Sequence, residues 1–143
     1  MAIYLKHHVT NLSKNNISQF NNLLKRKIML DFIKQLFGGE KGYENLNDDD
    51  FRIKFKETKK KVLLDVRSKA EFDNEKIPNA LNYDIRNPSF KDKAKHLDKD
   101  KTIFIYCQAG VRSARACRKM KKMGFENLVN LKGGIVKYSG RTV

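Results

Sequence analysis

The stretch Ile103–Gly124, IFIYCQAGVRSARACRKMKKMG, constrains the fold more than any other part of the chain. Ile103 to Tyr106 are apolar and β-favouring, the pattern of a buried strand. Gln108 to Arg112 turn the chain, with Gly110 free to take backbone angles that other residues avoid. A helix follows to about Met123, with Ser113 expected as its cap and Gly124 as its stop. Strand, tight loop and helix in that order point to an α/β domain.

Cys107 stands at the carboxyl end of that strand. A cysteine at the mouth of such a loop faces inward-pointing backbone N–H groups and the positive end of the helix dipole. Both favour a thiolate, which is the nucleophilic form of the side chain. Arg112 adds a permanent positive charge, and the same cradle suits a bound oxyanion or a second, negatively charged sulfur. The competing reading is a core cysteine that merely ends a strand. The polar, glycine-bearing loop with an arginine opening a helix argues against it.

Cys107-Gln108-Ala109-Gly110-Val111-Arg112-Ser113 resembles the active-site loop of the rhodanese family of sulfurtransferases, in the short form of its single-domain members. Three further motifs share the resemblance: Asp65-Val66-Arg67, Ile77-Pro78-Asn79-Ala80-Leu81-Asn82, and the tail around Lys132-Gly133-Gly134-Ile135. Together they span about Tyr43 to Ser139. The family usually has glycine where Asn79 stands, and asparagine also tolerates left-handed angles. Tyr138 stands where tryptophan is common.

The resemblance implies a rhodanese-like three-layer domain, a small, mainly parallel sheet with helices on both faces. It implies that Cys107 takes sulfane sulfur from a small anionic donor such as thiosulfate. The sulfur is held as a persulfide and passed to a thiophilic acceptor, a thiol or cyanide. Gln108, Ala109, Gly110, Val111, Arg112 and Ser113 would bind the persulfide, with Ser113 supporting the loop by hydrogen bonding or capping. A protein sulfur-relay partner fits the same chemistry. No cofactor and no metal are implied. Asp65 and Arg67 lie at a strand's carboxyl edge, where α/β sheets place ligands, but their expected role is structural. Arg67 is expected to pair with a nearby carboxylate such as Glu71.

Two rival readings stand beside this one. A cysteine-dependent phosphatase or arsenate reductase uses a similar cradle, but with five residues between cysteine and arginine; four separate Cys107 from Arg112. The shorter loop encloses a smaller anion site, better suited to a lone sulfur than to tetrahedral phosphate. A non-catalytic sulfur-carrier or docking module is the other.

Residues 1–40 read as a basic N-terminal extension, partly helical, and 41–143 as the rhodanese-like domain. Residues 1–28 hold Lys6, Lys14, Lys25, Arg26 and Lys27 and no acidic residue. Apolar spacing from Ile17 to Ile28 suggests a helix over about Ser18–Lys34, and Leu30, Ile33, Leu36 and Phe37 make a further stripe. The net charge of +15 raises local anion concentration. Without a nucleic-acid motif or an aromatic platform, nucleic acid is not the expected partner. No apolar run is long enough to cross a bilayer and no secretory signal is visible, so a cytoplasmic location is expected.

Cys107 and Cys117 do not form a disulfide framework. Ser113, Ala116, Cys117, Met120 and Met123 share one helical stripe, which places Cys117 against the sheet. A resolving role for Cys117 would require the helix to move. His96 reads as a surface residue, and the adjacent His7 and His8 hold no metal.

Further expected elements are an edge strand at Tyr43–Leu46, a helix capped by Asn47 or Asp48, and a buried strand at Lys61–Val66. A capping box at Ser68–Glu71 opens a short helix. A strand at Asn82–Ile85, a polar helix at Phe90–His96 and a last strand within Glu126–Asn130 complete the reading.

Overall fold

In the strand Thr102–Tyr106 alternate side chains go to opposite faces, and both faces are apolar. Ile103 and Ile105 join one buried cluster, and Phe104 and Tyr106 join the other. A strand covered on both faces belongs at the centre of a parallel sheet. The computed structural model, which describes residues 17–19, 21–29 and 42–143, places it there.

The strands are β1 (Glu44–Leu46), β2 (Lys61–Asp65), β3 (Leu81–Asn82), β4 (Thr102–Tyr106) and β5 (Leu128–Leu131). Their order is β1-β5-β4-β2-β3, and every neighbouring pair is parallel. Pairing of β2 with β4 runs from Lys61 opposite Thr102 to Asp65 opposite Tyr106. That register brings the ends of both strands, with Arg67 and Cys107 just beyond them, to one edge of the sheet.

The helices are α1 (Asp48–Glu57), α2 (Lys69–Asn74), α3 (Phe90–Ala94) and α4 (Val111–Lys121), followed by a 3₁₀ turn at Ile135–Lys137. Phe90 and Ala94 of α3 and Ala116, Cys117 and Met120 of α4 pack on Leu64, Ile103 and Ile105. On the other face, Phe51 and Phe55 of α1 and Ile135 of the 3₁₀ turn meet Leu63, Phe104 and Val129. The rings of Phe51 and Phe55 each meet Phe104 edge-on, with centroids 5.3 and 5.0 Å apart. The result is a three-layer α/β domain.

Local chemistry sets the boundaries. Asn47 accepts from the Asp50 N–H and caps α1. Ser68 and Glu71 form a reciprocal capping box on α2. Asn79 takes φ 64°, the left-handed angle its turn demands.

Three expectations are corrected. Helix α4 starts at Val111 with Gly110 as its N-cap at φ 92°, so Ser113 lies inside the first turn and caps nothing. The left-handed glycine turns the chain into the helix early and frees the Ser113 hydroxyl. Strand β3 is confined to Leu81–Asn82; beyond it only the amides of Tyr83 and Ile85 still bond the carbonyls of Asp65 and Val66. Arg67 pairs with Asp65, its neighbour two residues back, rather than with Glu71.

Residues 17–19 and 21–29 are helical, with Ile17, Leu23, Leu24 and Ile28 exposed. The remainder of the helix expected to Lys34, and the stripe from Leu30 to Phe37, lie outside the described residues. No helix among the described residues is long and apolar enough to cross a membrane.

Candidate active site

Cys107 continues the alternation of β4, so its side chain turns toward α4 and is 1% exposed. Its sulfur is nevertheless in polar company. The Gly110 N–H donates to Sγ at 3.1 Å and the Ser113 hydroxyl at 3.3 Å. Such donors stabilise sulfur most when it carries negative charge.

The loop's carbonyl oxygens are held elsewhere. Cys107 O accepts from the Ile135 N–H at 2.9 Å and Gln108 O from the Val136 N–H at 3.2 Å. Gly110 O accepts from the Ala114 N–H at 3.2 Å and from Asn130 Nδ2 at 3.4 Å. Among the described residues the N–H groups of Gln108, Ala109, Val111 and Arg112 have no protein acceptor. Carbonyls bound and amides free is the polarity an anion cradle needs.

Gly134 makes this arrangement possible. It sits at φ 67°, and a Cβ there would lie 2.4 Å from Gln108 O and 2.5 Å from Cys107 O. Only a glycine lets the 3₁₀ turn approach the loop so closely. The Gly133-Gly134 pair stands out in the sequence as part of the tail motif, but nothing there ties it to the loop's backbone.

The charges at the mouth are paired. Arg112 donates through both terminal nitrogens to Glu71, at 2.9 and 2.6 Å. Glu71 also accepts from the Ser68 amide and hydroxyl. The Arg112 hydrogen bonds, more than the opposing cost of burial, hold the Glu71 carboxyl far below the usual carboxylate range. Arg86 reaches Glu71 at 3.9 Å and Asp84 at 3.3 Å. Burial works against the Asp84 carboxylate, but Arg86 and the charge of Arg112 outweigh it and keep it below its ordinary range.

Arg67 and Asp65 form a buried pair with N···O of 2.7 Å. Arg67 also donates to Gln108 Oε1 at 3.0 Å and to the Glu75 carbonyl at 2.6 Å. It ties the loop to the end of β2 and has no charge left over for a ligand. Three arginines, Arg67, Arg86 and Arg112, therefore face three carboxylates, Asp65, Glu71 and Asp84.

Glu71 is the partner of Arg112 and Asn130 braces Gly110, and no local sequence pattern signals either contact. The sequence marks Glu71 as half of a capping box and as a carboxylate within reach of Arg67, but its pairing with Arg112 depends on a residue 41 positions away. Cys117 is fully buried, and burial pushes its thiol up to about 12. Both cysteines are free thiols, and no cluster of metal-ligating side chains occurs among the described residues.

The family model described as the Rhodanese-like domain matches residues 49–141. The sulfurtransferase of Allochromatium vinosum is 28% identical over 94 residues, covering 66% of this chain and 86% of that protein. The tRNA uridine(34) hydroxylase of Onion yellows phytoplasma is 38% identical over 81 residues, covering 54% of this chain. The match spans 26% of that relative's length. The crystal structure of a rhodanese-related protein from Thermoplasma volcanium superposes with a TM-score of 0.61 at 30% identity, covering 71% of this chain and 98% of that one.

Proposed function

The chain belongs to the rhodanese-like domain family, and from that premise we propose that it is a sulfurtransferase working through a persulfide on Cys107. The Cys107 thiolate attacks the outer sulfur of a donor such as thiosulfate. A new S–S bond forms, the bond to the sulfonate sulfur breaks, and sulfite leaves with the electron pair. A thiolate or cyanide then attacks the terminal sulfur. The acceptor leaves as a persulfide or as thiocyanate, and the Cys107 thiolate is regenerated. No strong general base is required once the attacking sulfur is ionised. A reducing compartment such as the cytoplasm would keep Cys107 available for this cycle.

One observation carries the reading. The loop turns its carbonyls onto the 3₁₀ turn and onto α4, and it gives the Gly110 N–H to the cysteine sulfur. The added persulfide sulfur would meet the remaining loop amides, those of Gln108, Ala109, Val111 and Arg112. Ser113 would hold Sγ from below through its hydroxyl. Asp65 and Arg67 would act as a structural strut for Gln108.

The test compares two substrates at equal concentration. Thiosulfate with cyanide is expected to yield thiocyanate, and an aryl phosphate is expected to remain intact. Phosphate release without thiocyanate would replace this reading with the phosphatase one. Neither activity would leave a carrier or docking role.

A further inference from the structure

The outer side of α4 carries a groove of about 440 Å³ between α3 and α4, lined by Lys91, Arg115, Arg118, Lys119, Lys122 and Met123. Among the described residues none of these cations pairs with a carboxylate. The nearby acids are committed elsewhere, Asp92 to Lys95 and Glu126 to Lys121. Met123 and the aliphatic stems of the long side chains give the groove an apolar floor beneath a cationic rim.

The groove reaches toward the candidate active site. Arg118 also lines a second hollow of about 330 Å³, whose other walls include Ala109, Gly110 and Val111 of the cysteine loop. Arg115 is one helical turn from Val111, roughly 6 Å along the axis. Val111 itself is 75% exposed at the rim.

We infer that this groove docks an acidic protein segment that presents a cysteine thiol to the Cys107 loop. The inference rests on the sulfurtransferase reading and names its acceptor class. Charge complementarity requires a polyanion, since five cations converge on one side of the domain. The apolar floor fits a hydrophobic side chain flanked by Asp or Glu. RNA fits less well, because Phe90, the aromatic ring under Lys119, is wholly buried and offers no stacking face. The chemistry favours protein as well, because the acceptor must be thiophilic and a cysteine supplies a thiolate.

In the transfer step the partner's thiolate attacks the outer sulfur of the Cys107 persulfide. One S–S bond forms on the partner, the Cys107 S–S bond breaks, and Cys107 departs as a thiolate. No redox co-reactant is needed.

The experiment uses a fluorescein-labelled synthetic peptide alternating Glu with Leu and carrying one Cys, against the full chain. A single-stranded RNA of equal charge is the competitor. The wild type is expected to bind the peptide more tightly than the RNA. The Lys119→Glu/Lys122→Glu double variant is expected to lose roughly tenfold in peptide affinity and in sulfur transfer to the peptide. Its thiosulfate-to-cyanide turnover is expected to be unchanged. Equal peptide binding by variant and wild type, or tighter binding of the RNA, would overturn the proposal. Failure of the wild type to turn over thiosulfate and cyanide would strike the sulfurtransferase reading instead. The anisotropy measurement needs no chemistry and judges the groove in either case.

Discussion

At its first turn α4 presents Arg112, and Glu71 grips it with two hydrogen bonds of 2.9 and 2.6 Å. One turn further on, Arg115, Arg118 and Lys119 look into a groove where, among the described residues, no carboxylate answers them. Among the described residues the same helix thus carries paired charge at the mouth and unpaired charge along its outer side. The difference separates two tasks. At the mouth the field on the sulfur comes from fixed main-chain dipoles, which cost no reorganisation during reaction. Along the groove, free cations act at longer range and draw in something large and acidic.

The harshest way to break this comparison is to remove the sulfur. Cys107→Ser is expected to abolish thiocyanate formation while the far-ultraviolet circular dichroism stays that of the wild type. Residual turnover would move the chemistry elsewhere. Next in size is Gly134→Ala. The added Cβ meets two carbonyl oxygens at 2.4 and 2.5 Å and must displace the cysteine loop. Turnover is expected to fall on the order of a hundredfold. Wild-type activity in this variant would show that main-chain polarity does not matter.

Glu71→Gln sharpens the comparison by freeing Arg112. With one more net positive charge at the mouth, the KM for dianionic thiosulfate is expected to drop several-fold, while turnover of a neutral persulfide donor changes little. The variant is also expected to lose about 1 kcal/mol of stability at neutral pH in urea denaturation. The native Glu71 carboxyl is held low, so this contribution is present above the ordinary carboxylate range. It is lost as pH falls through the depressed native value. The gap between wild type and variant should therefore close in strong acid.

The smallest effect is expected at Cys117. Its thiol, pushed up to about 12 by burial, should resist iodoacetamide at pH 8. Cys117→Ala should keep turnover within about twofold.

The layers of this fold were legible because they rest on local patterns. The alternation Ile103-Phe104-Ile105-Tyr106 marks a strand covered on both faces. Ser68 with Glu71, and Asn47 before three aspartates, mark helix starts. Cys107 and its loop were legible for the same reason, since one short stretch holds the strand end, the turn and the helix.

What the sequence did not disclose depends on residues far apart in the chain. The Arg112–Glu71 pair spans 41 positions, and the Gly134 contact joins two separate motifs. The start of α4 departs from the sequence pattern for a different reason. Ser113 is a good capping residue, but Gly110 three residues earlier had already turned the chain with a positive φ. The serine was thereby released to face the sulfur. Arg67 chose Asp65 over Glu71 because a partner two residues away on the same strand end is bonded by both its backbone and its guanidinium.

Intact-mass analysis after brief thiosulfate treatment tests the central claim most directly. The account predicts one added sulfur, located on Cys107, removed by reductant and absent from Cys107→Ser. An unchanged mass, or an added sulfur found on Cys117 instead, would contradict it.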